Sequence, residues 1–352
     1  MIVKSFRENM IKAGINPPSE INADGKFHRF STNGKPSDDA GWYVLNEYPI
    51  AVGSFGCWRS GLKGSWSAIE ERNMTQEDRT KYKKAIQQMS KINDEEKAKA
   101  NLEAAVNAQK LWDQANDVSS AHPYLASKKV DAFGIKHNGQ KLLIPLRDHK
   151  GKLWSLQEID HKGNKLFLKN GKVKGLFHNI GEQTDVIYIG EGYATMASVH
   201  AATGKASVVA FNAGNLRDVC SQVRSSYPDT EIVLCADDDQ ITKGNPGLTK
   251  AREAALEIGA GLVVPDFGET RGSGETDFND LHRVKGLEAV RAGVELNRLN
   301  PQDLVNATDL AVFATLASNW EAEPEPVLPI TKPQTPFPIE SLPTLIREAV
   351  IE

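Results

Sequence analysis

Cysteine is scarce in this chain: Cys57, Cys220 and Cys235 are the only three among 352 residues. Three scattered thiols cannot build a disulfide framework, so a reducing interior is expected. Long apolar runs are missing as well. No stretch approaches the ~18 residues that a membrane span requires, and the opening MIVKSFRENM has no apolar signal segment. A cytoplasmic protein with no membrane partner is the expectation. The absence of a GxxxxGK[ST] phosphate loop excludes P-loop motor chemistry. CxxC pairs are absent too, and the first 67 residues offer only His28 and Cys57 where a structural zinc site takes four ligands. No zinc is expected.

What is present is unevenly distributed. Residues 1–67 concentrate Trp42, Tyr43, Phe55, Trp58 and Trp66 in a chain that is 7% aromatic. In KFHRFSTNG and GWYVLNEYPIAVGSFGCW, aromatic and apolar residues alternate between Gly, Asn and Pro, which suits short strands and turns in a small β-rich module. Two readings stay open for the rings: a surface that stacks single-stranded bases, or a small core filled by large side chains. Residues 68–120 turn to Glu, Lys, Gln and Ala without Gly or Pro as far as Asp117. A helical connector is expected there, two helices broken near Asn93-Asp94, with Leu102, Ala105, Val106, Ala108, Leu111 and Trp112 at helical spacing.

Residues 121–182 open with AHPYLASKKVDAFGIK, a turn and short helix, and continue as a β meander. The runs LLIPL, LWSLQEI and LFL are separated by the turns DHKG, HKGN and KNGK. From Lys141 to Gly175 there are nine Lys or Arg against three Asp or Glu, a local charge of +6 in a chain whose formal net charge is −4. Such cations neutralise phosphates, or they simply keep hairpin turns soluble.

Residues 183–298 alternate apolar runs with helical patterns: strands at 186–190, 206–211, 231–236 and 261–265, helices at 193–203, 216–226, 248–258 and from Phe278. That alternation predicts an α/β fold, a parallel sheet flanked by helices through right-handed crossovers. Asn215 is a plausible cap for the second helix. Two strands end abruptly in acid, at Glu191 and at Asp237, Asp238 and Asp239, the edge where open parallel sheets bind ligands. On an extended segment Asp237 and Asp239 would point the same way and Asp238 elsewhere. The later loop TDFNDL adds Asp277, Asn279 and Asp280. Several hard carboxylates with no His or Cys among them favour Mg²⁺ or Mn²⁺, and clustered carboxylates repel one another without a cation.

A strand ending in Glu-Gly (YIGEGYATMAS), one ending in Asp-x-Asp (VLCADDDQ) and a later loop acid (TDFNDL) resemble the Toprim domain of DnaG-type primases, topoisomerases and some nucleases. IPLRDHKGKLWSLQ and NKLFLKNGKVKGLF resemble the basic half of a bacterial or phage primase core. HPYLASKKV and GWYVL…GSFGCW resemble the leading part of phage and plasmid primases and primase-helicases. The resemblance implies metal-dependent nucleotidyl transfer making short RNA primers on single-stranded DNA from nucleoside triphosphates, with a replicative helicase as partner in cis or in trans. It implies metal or catalytic roles for Glu191, Asp237, Asp239 and Asp277; Asp280 of the same loop is a further metal candidate. It also implies contacts of Arg147, Lys165, Lys169, Lys172 and Lys174 with template phosphates or the incoming nucleotide. Two departures stand out: the cysteine zinc ribbon of many such primases is missing, and Thr195 occupies a position where they often carry an acid. A metal-dependent nuclease and a non-catalytic module recruiting a helicase remain as alternatives.

Residues 299–320 read as a helical cap. EAEPEPVLPITKPQTPFP then places six prolines in eighteen residues, a stiff linker. The final IESLPTLIREAVIE has an amphipathic pattern that suggests the start of a further segment.

Overall fold

The computed structural model describes residues 2–306, apart from 36–37, 48–50, 70–73, 121, 243, 269–270 and 273. The chain starts with a helix the sequence reading did not anticipate, α1 (Ile2–Lys12), whose Phe6 and Met10 lie one turn apart and are both buried. It covers an antiparallel sheet in the order β1 (Asp24–Phe30), β2 (Gly41–Asn46), β3 (Val52–Cys57), β4 (Lys63–Ser67). The Phe6 ring fills the space over Gly53, where a Cβ would come within 2.3 Å of it. Phe6 meets Phe55, Trp66 and Tyr43 edge-on with centroids 5.5, 5.8 and 6.1 Å apart. Trp42, Tyr43, Phe55 and Trp66 are all buried, so these rings are core rather than a stacking platform. Trp58 alone of the five stays partly exposed, with the Arg29 guanidinium 4.3 Å above it.

The connector is one helix, α2 (Gln76–Asp113), opened by a capping box between Thr75 and Asp78. The expected break at Asn93-Asp94 does not occur. Asn93 is buried and accepts a hydrogen bond from the Trp58 indole N–H at 3.3 Å, so it serves packing, not termination. Two apolar patches hold α2. Met89 joins Val44 and Val52 of the first sheet, and Ala108 joins Leu143, Leu153 and Leu156 further along the chain. Residues 94–99 between the patches are exposed on all sides.

The meander forms a second antiparallel sheet, β5 (Asn116–Asp117), then after the short α3 (Pro123–Lys128) come β6 (Lys136–His137), β7 (Lys141–Arg147), β8 (Leu153–Asp160) and β9 (Lys165–Phe167), in that spatial order. Strand pairing thus begins inside the stretch read as connector. The turns are set by Asp148 and Asp160, whose carboxylates accept backbone N–H groups two and four residues on.

The third sheet has the order β10 (His178–Ile180), β12 (Ala206–Val209), β11 (Val186–Gly190), β13 (Glu231–Cys235), β14 (Gly261–Val263). All pairs are parallel except β10 with β12; the antiparallel edge strand was not foreseen. The chain leaves β11 through α4 (Tyr193–Thr203) to β12 on one side, then crosses through α5 (Ala213–Ser226) to β13 on the other. Right-handed crossovers in opposite directions put α4 and α5 on opposite faces, and the order reverses between β11 and β13, where α/β sheets open a crevice. After α6 (Pro246–Ile258) and β14 come α7 (Phe278–Lys285), α8 (Leu287–Leu296) and α9 (Pro301–Asn306). α7 and α8 pack on α4 and on each other, α6 on α5.

Asn215 is not a cap: Asn212 holds that position. The buried Asn215 side chain instead accepts from the Gly175 N–H at 2.7 Å and donates to the carbonyls of Leu176 and Ala210, each at 2.9 Å. It fastens the end of the meander to the parallel sheet. The rest of the expected cap and the proline-rich stretch lie outside the described residues. Among those described, no helix is long and apolar enough to cross a membrane.

Candidate active site at the strand ends

The register pairs Gly190 of β11 with Cys235 of β13, so Glu191 and Asp237 leave neighbouring strands at the reversal point. Each carries one buried carboxylate oxygen with no hydrogen-bond donor, Glu191 Oε1 and Asp237 Oδ1. Burial is the main force raising both pKa values. At Glu191 it is opposed by the Ala213 N–H and the Lys165 charge; at Asp237, raised well above the usual carboxylate range, Asp277 and Glu191 add to it. Gly247, in the first turn of α6, borders the pair. A Cβ there would meet the Asp237 carbonyl oxygen at 2.8 Å and Glu191 Oε1 at 3.1 Å, so only glycine lets this helix approach the acids so closely.

Asp277 caps α7: its Oδ1 accepts the Asp280 N–H at 2.8 Å and its Oδ2 the Thr195 hydroxyl at 3.0 Å. Thr195 therefore orients an acid. Asp280 returns the cap by accepting the Thr276 N–H at 3.1 Å, and its charge reaches Asp237.

The two remaining aspartates face elsewhere. Asp238 is buried and bound by Arg271, Asn245 and Gln240, tying its loop to the 271–276 loop. Asp239 accepts from the Thr242 hydroxyl and N–H, which lowers its pKa through the hydroxyl bond first. The structure does not bring it beside Asp237. The reason is local: β13 ends at Cys235, so the alternation that would align 237 with 239 has already stopped.

Of the basic residues, Lys165 reaches the acids. Its ammonium lies 3.9 Å from where a Cβ on Gly192 would sit. The residue is exposed along its length, but its charged end is crowded by protein. Burial of that end lowers its pKa, against the pull of Asp277, Asp237 and Glu191, and the Lys128 charge lowers it further. An edge-on contact of Phe167 with Phe211, centroids 6.0 Å apart, holds β9 against the parallel sheet. The others are engaged away from this point. Lys169 pairs with Asp39 at 3.1 Å, Lys174 with Asp218 at 3.4 Å, and Lys172 lies 4.9 Å over the Trp154 ring. Arg147 lines a separate cleft of about 380 Å³ with Trp112, His178 and Tyr227, where burial lowers its pKa.

Sequence reasoning missed Tyr124 and Lys128. They lie one turn apart on α3, so they share a face. Tyr124 is 3% exposed, and burial, then the Asp277 charge, pushes its pKa to about 12. The signal was the spacing in HPYLASK.

The donor set fits a hard divalent cation: anionic, oxygen-only, desolvated, with two unsatisfied oxygens aimed inward. Among the described residues no three His, Cys, Asp or Glu side chains close into a ready-made cage. Glu191 and Asp237 would therefore hold an ion whose shell is completed by water or substrate oxygens, as Mg²⁺ tolerates.

Residues 186–288 match the family model of the Toprim domain. The chain carries a Toprim domain. Two DNA primases TraC of Escherichia coli are each 32% identical to it, over 330 residues (85% of this chain) and 300 residues (75%). This Toprim chain spans 30% and 19% of the lengths of those relatives. A solved DnaG catalytic core overlays with a TM-score of 0.41 at 16% identity, covering 62% of this chain and 89% of that one.

Proposed function

We propose that this Toprim chain is the catalytic part of a DNA primase that makes short RNA primers on single-stranded DNA during plasmid or phage replication. The observation that carries this is the meeting of two carboxylates on adjacent parallel strands, each with one buried oxygen that has no donor, with Lys165 from a basic meander. A hydrolase would need the acids but not that meander. The 32% identity to the DNA primases TraC supports the same reading.

Glu191 and Asp237 would hold Mg²⁺ or Mn²⁺, with Asp277 and Asp280 adding negative charge behind them and Asp239 within one turn of chain. A divalent ion bound there neutralises triphosphate charge and lowers the barrier to in-line attack by a 3′ hydroxyl. Lys165 would bind the triphosphate, and Lys169, Lys172, Lys174 and Arg147 would follow template phosphates farther out. Positioning and electrostatics, rather than a covalent enzyme intermediate, would supply the rate. A replicative helicase, in cis or in trans, is the partner that such a primer-maker serves, and the cytoplasm is its compartment.

The test is primer synthesis from labelled nucleoside triphosphates on mixed-sequence single-stranded DNA. Wild type should give short template-dependent products, and Glu191→Gln and Asp237→Asn should lower the yield at least a hundredfold. Shortened DNA would instead identify a nuclease. DNA binding without synthesis, equal in all three proteins, would identify a recruiting module.

A further inference from the structure

Beside Glu191 Oε1 and Asp237 Oδ1, a third buried polar atom at this recess has no partner, the Tyr124 hydroxyl. Its ring packs beneath the turn that leads into β9, 3.6 Å from where a Cβ on Gly163 would sit, and the hydroxyl lies within the field of Asp277. The nearby acceptors do not take its proton. Asp277 accepts from the Asp280 N–H and the Thr195 hydroxyl but not from Tyr124, and the free oxygens of Glu191 and Asp237 have no donor within hydrogen-bond reach. A buried hydroxyl left unpaired is destabilising, so its acceptor is expected from outside the chain. The same face of α3 carries Lys128, whose charge is felt by Lys165. Two ammonium groups and one phenol donor, arrayed opposite carboxylates, suit an anion with several oxygens.

We propose that the Tyr124 hydroxyl is a nucleotide contact, donating to a phosphate oxygen of the triphosphate held beside Lys165. This rests on the nucleotidyl-transfer reading above.

The contact makes opposite demands on stability and on binding, and Tyr124→Phe separates them. Removing an unpaired buried hydroxyl should leave the melting temperature of the ligand-free protein unchanged or raise it. The dissociation constant for ATP with Mg²⁺, measured by equilibrium dialysis without template, should rise about tenfold or more, the weight of one hydrogen bond to a charged acceptor. dATP should weaken by the same factor, because the phosphates are common to both. A lower melting temperature with unchanged ATP affinity would mean that the hydroxyl bonds inside the protein, and the proposal falls. Weakening for ATP but not dATP would move the contact to the ribose and overturn it as stated. Failure of the wild type to bind ATP would overturn the nucleotidyl-transfer reading itself, and the contact with it. An unchanged constant in Tyr124→Phe alone removes only the contact.

Discussion

Asp237 sits in the ligand-free protein with one carboxylate oxygen withdrawn from water and given no donor in return. Its folded pKa lies above its unfolded one, so its ionisation opposes folding. The linked stability is fully present below the ordinary carboxylate range and is lost as pH rises through the raised value. Asp237→Asn removes that linkage. The expected outcome is a melting temperature above wild type at pH 8, with the difference vanishing near pH 4, in differential scanning calorimetry in EDTA. Added Mg²⁺ should stabilise wild type more than the variant, because the variant keeps only Glu191 of the two proposed ligands. The reverse pH dependence, a variant gain confined to acid, would mean that Asp237 is held by a donor after all. The raised pKa of Glu191 has the same sign and cause. Two such acids at one sheet edge mark a site that holds its charge in reserve for a ligand.

At the level of elements, Asn215 decides whether the basic meander stays seated on the parallel sheet. Asn215→Leu strands the Gly175 N–H and the Leu176 and Ala210 carbonyls in a buried setting. Unpaired buried groups cost roughly 1–3 kcal/mol each, so a loss on the order of 3 kcal/mol is expected in urea unfolding, with primer synthesis falling as Lys165 loses its support. The parallel strands were legible in the sequence because each is a short apolar run, and two of them stop at acids of the recess, Glu191 and Asp237. The direction of Asp239 was not legible. It depends on where β13 ends, and a boundary one or two residues early reverses the inference from alternation. Asn215 and Asn93 were misread for a related reason: asparagine favours caps and breaks on its own, but here each is recruited by partners distant in sequence, the Gly175–Leu176 backbone and the Trp58 indole. Tyr124 escaped notice because the spacing in six-residue α3 gives a shared face but not what that face lies near; only the fold puts it within the field of Asp277.

Across the whole molecule, the aromatic cluster of the first 67 residues left two readings open, and the answer came from a helix whose own sequence gave no hint of its role. α1 supplies Phe6, and around Phe6 the rings close into a core. α2 joins that module to the rest over 38 residues, about 57 Å at 1.5 Å per residue. The direct links besides it include the pair of Asp39 with Lys169 and the Arg29 bond to Asn170, contacts worth little in salt water. α2 then behaves as a drive shaft, and its bare middle at 94–99 is a place to change its phase. Each residue inserted there turns the N-terminal module by about 100° and lifts it by 1.5 Å. Two inserted residues should point the module nearly the opposite way and break the Asp39–Lys169 and Arg29–Asn170 contacts; seven should restore its heading to within about 20° while moving it out by roughly 10 Å. If the module grips template ahead of the recess, the two insertions will differ in primer yield although both spare every residue of the site, and the seven-residue variant will start its primers farther from a fixed DNA landmark.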